Sequence, residues 1–181
     1  MSMPETRLKI RIFGDPSLRK KAKPVSKVTE RHRDALSQMA RLMYDASGIG
    51  LAAPQVAVAE SMIVVDIGSG LYKLINPRVS DRKGSQGLEE GCLSIPGICI
   101  KIKRAKNVKV VAMDEYGKPV SIEAEGLLAC ALQHEIDHLK GRLIVDYASF
   151  LDRLKIKKKL QDLKEKSGAE ETQSNICKLK L

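Results

Sequence analysis

Two of the three histidines of the chain, His134 and His138, lie four residues apart in a segment whose apolar spacing predicts a helix. Side chains with this spacing project from one face of a helix, so both imidazole rings can bind a single metal ion. Glu135 lies between them and is not needed as a ligand. In this motif the carboxylate is placed to take a proton from water that the metal activates. A chance grouping of polar residues on an exposed helix is the alternative, but uncompensated polar groups are costly on a helix that is otherwise strongly apolar.

A catalytic metal site of this type needs a third protein ligand and a position left open for water. No histidine follows His138, and the remaining one, His32, is predicted on the exposed side of an earlier helix, so a site with three histidines is excluded. Cys130 precedes His138 by about 12 Å along a helix axis, which is too long a span for convergence on one ion. Cys177 lies in the polar C-terminal segment. The main remaining candidates are the thiolates of Cys92 and Cys99, and downstream acids such as Asp146 come after them.

The elements that must position these residues follow from the spacing of apolar side chains. Helical spacing predicts three helices, over residues 30–46, 126–140 and 152–166. Alternating and β-branched runs predict strands at residues 7–13, 61–67, 71–75, 107–113 and 119–124, with a glycine-rich hairpin turn at 68–70. Residues 81–91 are polar and glycine-rich, which predicts a loop. The fold class is therefore α+β, with antiparallel strands packed around a central helix that carries the histidine pair, and a C-terminal helix.

Composition limits the class of protein. The 181 residues are 43% hydrophobic and 30% charged, which is ordinary for one globular domain. We expect a single catalytic domain over residues 1–166 and a polar, flexible tail over residues 167–181. No apolar run approaches the roughly 20 residues of a membrane-spanning helix, and the N-terminus carries no apolar secretion signal. The four cysteines also show no close pairing of the kind found in secreted, disulfide-rich domains. We therefore expect a cytoplasmic protein, and we expect no membrane partner.

The formal net charge of +10 favours encounters with polyanions such as RNA. Much of the excess lies in the third predicted helix, at residues 153–159. A solvated helix face is the ordinary interpretation of such a run. Contact with the ribosome through this C-terminal basic helix is the functional interpretation.

Three short motifs resemble, in the same order, the signature motifs of the bacterial type of the peptide deformylase family. They read Gly48-Ile-Gly-Leu-Ala-Ala-Pro-Gln55, Glu90-Gly-Cys-Leu-Ser94 and Gln133-His-Glu-Ile-Asp-His138. The resemblance implies that Cys92, His134 and His138 hold the metal and that Glu135 is the general acid and base. It also implies that Gln55 and the backbone N–H of Leu93 stabilise an oxyanion, and that Gly50 contacts the substrate backbone.

The same resemblance implies the activity and the cofactor. The enzyme would remove the N-formyl group from the N-terminal Met of newly made polypeptides and release formate. N-formyl-Met peptides and nascent chains would be its substrates, and Fe(II) its cellular ion, with zinc, nickel or cobalt able to take the place of iron. The donor set alone accepts zinc and does not select iron. Residues 48–53 superficially match a dinucleotide-binding fingerprint, but they follow a helix and precede a proline, so no nucleotide cofactor is expected.

Helix geometry predicts where the substrate side chain binds. Leu127, Cys130 and Ala131 precede His134 on the metal-bearing face, and with Ile49 they would form an apolar pocket for Met, although they could equally be core residues. The chain also departs from the family pattern. Many members carry an arginine soon after the Glu-Gly-Cys motif, whereas here the nearest basic residue is Lys101. The sequence therefore does not indicate which residues contact the downstream part of the peptide. For Cys99, packing is the default role.

Two other functions are compatible with parts of the pattern. A zinc endopeptidase shares the helix motif, but it needs an open groove for an internal peptide bond. A basic RNA-binding or ribosome-binding protein could carry a structural metal, which normally has four protein ligands and no open position. A formate-release assay and the detection of a metal-bound water separate these functions from deformylation.

Overall fold

The computed structural model describes residues 8–167, and this part contains three helices, seven strands and three short 3₁₀ turns. The helices are α1 (Glu30–Asp45), α2 (Gly126–His138) and α3 (Phe150–Ser167). The strands are β1 (Gly50–Ala52), β2 (Met62–Val65), β3 (Tyr72–Lys83), β4 (Gln86–Cys92), β5 (Ile95–Arg104), β6 (Asn107–Met113) and β7 (Pro119–Glu125). The 3₁₀ turns are Pro16–Arg19, Ala53–Val56 and Ile144–Tyr147.

The strands form two antiparallel sheets. The larger sheet has five strands in the order β1-β2-β3-β6-β7, and the smaller is the β4–β5 pair. The predicted hairpin is the antiparallel pair β2–β3, with Val65 opposite Tyr72. The second predicted strand pair is the antiparallel pair β6–β7, with Asn107 opposite Glu125. Strands joined by short turns thus account for most of the larger sheet.

Helices cover both faces of the five-stranded sheet, so β2 is buried along its whole length. Ile63 and Val65 join the core cluster formed with α2, whereas Met62 and Val64 join the cluster formed with α1. This alternation follows from the two-residue period of a strand. The result fixes α2 firmly against the sheet, and α2 carries the histidine pair.

The β4–β5 pair has a core of its own. Ile98, Ile100 and Ile102 alternate along the buried face of β5. They pack with the 3₁₀ turn Ile144–Tyr147 and with Leu163 of α3. The C-terminal helix therefore buttresses the smaller sheet.

One strand prediction and one loop prediction are wrong. Residues 8–13 form no strand, because the N–H of Arg11 donates to the carbonyl of Gln55 (2.7 Å) and that of Phe13 to the carbonyl of Ser94 (2.8 Å), which belong to two separate segments. Residues 81–91 are not a loop, because most of them belong to β3 and β4. Backbone pairing with β6 and β5 holds these polar residues extended, and this pairing outweighs their composition.

His32 also differs from its prediction, because its ring is buried at 6% exposure. Its Nδ1 accepts the backbone N–H of Thr29, the N-cap of α1, at 2.9 Å. The predicted helices are confirmed to within two residues at each end. Apart from Ser167, the predicted tail and Cys177 lie outside the described residues. No helix in residues 8–167 has the length and apolar character needed to cross a membrane.

Candidate active site

Cys92, His134 and His138 come together where the end of β4 meets α2. Cys92 Sγ lies 3.3 Å from His138 Nε2, and the Nε2 atoms of the two histidines lie 3.2 Å apart. The donor atoms of all three residues lie within 4.8 Å of one another. Metal bonds of about 2.0 Å to nitrogen and 2.3 Å to sulfur, at tetrahedral angles, would separate such atoms by roughly 3.3–3.6 Å. The three side chains therefore fit one divalent ion.

Local structure explains why these residues meet. His134 and His138 lie one turn apart on α2, and their ring centroids are 4.9 Å apart. Cys92 is the last residue of β4, where a register shift after Gly91 interrupts the ladder with β5. The thiol leaves the sheet at this irregular point and lies against the histidine-bearing face of α2.

The other ligand candidates lie outside this group. Cys99 lies within β5, and Cys130 is a buried thiol on α2 that donates to a neighbouring carboxylate. Asp146 accepts two hydrogen bonds from Arg19, at 2.6 and 3.0 Å. Of the candidates named from the sequence, Cys92, Cys99 and Asp146, only Cys92 is thus placed beside both histidines.

A buried carboxylate lies behind His134. Glu90 Oε2 is 2.8 Å from His134 Nδ1, and Arg104 donates to both oxygens of Glu90. Burial raises the pKa of Glu90, but hydrogen bonds from His134 and Arg104 outweigh this effect and lower the pKa from 4.5 to about 2. Glu90 is thus an anionic acceptor for the ring N–H of His134.

The sequence analysis gives Arg104 no role, yet the sequence contains a signal. Arg104 continues the alternation of Ile98, Ile100 and Ile102, which places it on the apolar face of β5. A charged side chain on such a face is costly unless it is paired. That signal predicts a buried partner for Arg104, although it does not identify Glu90.

Glu135 presents a buried carboxylate to the same site. Burial raises its pKa from 4.5 to about 7, although the charges of His134 and Arg104 act in the opposite direction. Its Oε2 is buried and, among the described residues, has no hydrogen-bond partner. A carboxyl group with a pKa near neutrality and an open oxygen can both accept and return a proton.

Burial also keeps His138 neutral. Burial, followed by the positive charges of His134 and Arg104, lowers the pKa of His138 well below its ordinary value. Its Nε2 lone pair is therefore free to bind a metal at neutral pH.

Gln55 is buried at 1% exposure, not on the surface as its position after a proline would suggest. Its Oε1 accepts the backbone N–H of Ala52 at 2.8 Å, which fixes the orientation of the amide. The Nε2 then faces Ser94 Oγ at 3.1 Å and Cys92 Sγ at 3.5 Å. Gln55 thus directs a donor toward the proposed ligands.

A largely apolar cavity of about 280 Å³ adjoins the ligands. Cys92, His134, Glu135 and Gln55 border it. Its wall also includes all the residues predicted to contact substrate, which are Ile49, Gly50, Leu93, Leu127, Cys130 and Ala131. A group bound in this cavity would lie directly beside the proposed metal ligands.

A profile of the family described as "Polypeptide deformylase" matches residues 7–154. The chain belongs to the peptide deformylase family. It is 51% identical over 141 residues to the peptide deformylase of Halothermothrix orenii, a match that covers 77% of this chain and 92% of that protein. With the peptide deformylase of Alkalilimnicola ehrlichii it shares 46% identity over 160 residues, covering 86% of this chain and 90% of that one. The family predicted from the three motifs is confirmed, and with it a metal-dependent hydrolase.

The fold of this family member also matches solved deformylase structures. The crystal structure of a peptide deformylase from Legionella pneumophila superposes with a TM-score of 0.83 at 42% sequence identity, covering 91% of this chain and 99% of that one. The predicted α+β class, with antiparallel sheets and a C-terminal helix, is thereby confirmed.

Proposed function

We propose that this chain removes the formyl group from the N-terminal Met of newly made polypeptides, releasing formate and a free N-terminus. The observation that supports the proposal best is the spacing of Cys92, His134 and His138 beside the buried carboxylate of Glu135 and an apolar cavity. In this proposal α2 is the central helix of the fold and its His134-Glu135-Ile136-Asp137-His138 segment is the catalytic motif.

The three ligand side chains are proposed to hold one divalent ion. When bound, that ion supplies Lewis acidity and activates water for hydrolysis. Fe(II) is the proposed cellular ion on the ground of the family resemblance. Zinc, nickel or cobalt could replace it, because a set of one thiolate and two imidazoles accepts all of them.

Glu135 is the proposed general acid and base. Its carboxylate takes a proton as a water oxygen adds to the formyl carbon, and the carboxyl group then returns the proton to the leaving amine nitrogen as the C–N bond breaks. The raised pKa of Glu135, about 7, suits both halves of this transfer near neutral pH.

The other groups around the cavity are proposed to bind and orient the substrate. Gln55 Nε2 and the backbone N–H of Leu93 donate to the formyl oxygen as negative charge develops on it. Gly50 contacts the peptide backbone. The Met side chain occupies the apolar wall that is formed by Ile49, Leu127, Cys130 and Ala131.

Formate release from formyl-Met-Ala, compared with cleavage of an unformylated peptide, tests the activity. We expect formate release alone, and cleavage of an internal peptide bond would instead indicate an endopeptidase. The variant Glu135→Gln should retain its metal, measured by elemental analysis, and lose about 10²–10⁴-fold in kcat. Full activity of this variant would exclude the proposed role of Glu135.

The basic surface of α3 is proposed to contact the ribosome, where nascent chains emerge, in the cytoplasm. Three exposed residues of this helix are Lys155, Lys157 and Lys158. Exposed lysines bind RNA phosphates by charge attraction, which weakens as the salt concentration rises. Replacing all three with Glu should abolish co-sedimentation with ribosomes at low salt and leave hydrolysis of formyl-Met-Ala unchanged. Unchanged co-sedimentation would exclude this contact.

A further inference from the structure

The carboxylate of Glu90 accepts hydrogen bonds at four positions. Arg104 Nε and Cys130 Sγ (3.2 Å) donate to Oε1, whereas Arg104 Nη2 (2.9 Å) and His134 Nδ1 (2.8 Å) lie against Oε2. An ionised carboxylate has about four lone-pair sites, so all of them are occupied. Glu90 is also only 1% exposed, and its orientation is therefore fixed by the surrounding protein.

This arrangement fixes the orientation of the His134 ring. Because Glu90 can only accept, Nδ1 of His134 must carry a proton. The other ring nitrogen, Nε2, then faces His138 Nε2 at 3.2 Å. The ring of His134 is thus oriented for metal binding before any metal arrives.

His138 has no comparable support. Its Nδ1 is buried and, within residues 8–167, has no hydrogen-bond partner. The two histidine ligands are therefore unequal, because only His134 is held by a carboxylate at its distal nitrogen.

Arg104 in turn holds Glu90 in place. The residue is 8% exposed, and its guanidinium group also donates from Nη1 to Asp137 Oδ2 at 2.8 Å. The same Asp137 oxygen accepts the hydroxyl of Tyr147 at 2.6 Å. Since two carboxylates fix the planar fork of Arg104 from two sides, Glu90 cannot move away from His134 without leaving a buried charge unpaired.

We propose that Glu90 and Arg104 are positioning residues that preset His134 and thereby determine how tightly the site retains its metal, an inference that rests on the proposed role of His134 as a ligand. Partners of this kind behind a metal-binding histidine typically change metal affinity by about 10–100-fold when they are replaced. Glu90 touches neither the proposed metal nor the reacting atoms, so its effect acts through the orientation of the ring.

Two variants test the proposal. Glu90→Gln keeps the shape of the side chain but replaces one acceptor oxygen with a donor group, which leaves Arg104 undercompensated. Glu90→Asp keeps the charge and withdraws the carboxylate by about 1.5 Å, and it serves as the second variant if Glu90→Gln does not fold. Glu115→Gln is the matched control, because it breaks a partly buried ion pair with Lys73 (2.7 Å) away from the cavity.

The measurements are the Zn²⁺ dissociation constant, by competition with a chelator, and the imidazole N–H resonances of the metal-free protein with ¹⁵N-labelled histidine. We expect a dissociation constant raised about 10–100-fold by Glu90→Gln, a smaller rise with Glu90→Asp, and loss of the downfield Nδ1–H resonance of His134. The control variant should stay within twofold of the wild type. A folded Glu90 variant, of either type, that binds Zn²⁺ as tightly as the wild type would overturn the inference.

These outcomes also separate this inference from the proposed function. If the wild type binds no Zn²⁺ and releases no formate, the proposed function fails. If the wild type does both but the Glu90 variants bind Zn²⁺ equally well, only the positioning role fails.

Discussion

Gly50 offers the sharpest test of the site, because its lack of a side chain makes room for Glu135. A β-carbon built on Gly50 would lie 2.8 Å from the carboxyl carbon of Glu135 and closer still to Oε1. Ordinary contacts begin at 3.4 Å, so in Gly50→Ala the carboxylate must retreat by roughly 1 Å. A displacement of this size at a group that transfers a proton costs about 10²-fold in kcat, or about 2.7 kcal/mol.

The assay is formate release under anaerobic conditions, with kcat and KM determined separately and metal content measured on the same sample. A loss in kcat with retained metal indicates displacement of Glu135, whereas a rise in KM alone would indicate that the added methyl group merely blocks the peptide backbone. Gly87→Ala is the matched control, since its β-carbon would meet only the flexible end of Lys101 at 3.4 Å. A kcat of Gly50→Ala within twofold of the wild type would refute the steric reasoning.

Three further predictions concern other parts of the molecule. Gln55→Ala removes a buried donor directed at the site and should lower kcat by about 10²–10³-fold with little change in metal content; an unchanged kcat would remove Gln55 from the oxyanion site. Ala131→Trp fills the cavity wall and should raise KM for formyl-Met peptides at constant metal content; if KM does not change, the Met pocket lies elsewhere. Burial raises the pKa of Asp146, but hydrogen bonds from Arg19 and the Leu143 N–H lower it more strongly, so the pKa lies below its ordinary value of 3.8. Its ionised form therefore stabilises the fold above pH 3.8 and this contribution disappears as the pH falls through the lowered value. Asp146→Asn should cost at most about 1 kcal/mol at pH 7 in urea unfolding, with a difference that shrinks below pH 3.8; a difference that persists at the lowest pH would contradict this origin.

The predictable elements of the fold are those that depend on nearby residues. The helix at Glu30–Asp45 follows from apolar side chains three and four residues apart, and the β2–β3 hairpin follows from two β-rich runs around glycines. The β4–β5 pair could not be predicted in the same way. Its first strand is polar, and its extended shape depends on pairing with β5, which is a tertiary interaction that the local composition does not encode.

The site residues also differ in whether local sequence predicts them. His134 and His138 are recognisable from a spacing of four residues on one helix. The third ligand is not, because Cys92 lies on a different element and no local pattern distinguishes it from Cys99. The three-motif resemblance selects Cys92, and the structure places it beside both rings. The role of Glu90 is the hardest to predict from the sequence, because only the fold shows which histidine its carboxylate contacts.

The proposed ligands belong to two packing units, and this has a consequence for stability. Cys92 belongs to the core of the small sheet, whereas α2 packs on the five-stranded sheet, and among the described residues no strand of one sheet pairs with the other. An ion shared between these units acts as a reversible cross-link, whose contribution rises and falls with the free concentration of the metal. Metal starvation should therefore loosen the β4–β5 pair before it affects the larger sheet. Amide exchange along β4 and β5 should then become faster as the supply of the ion in the cell falls.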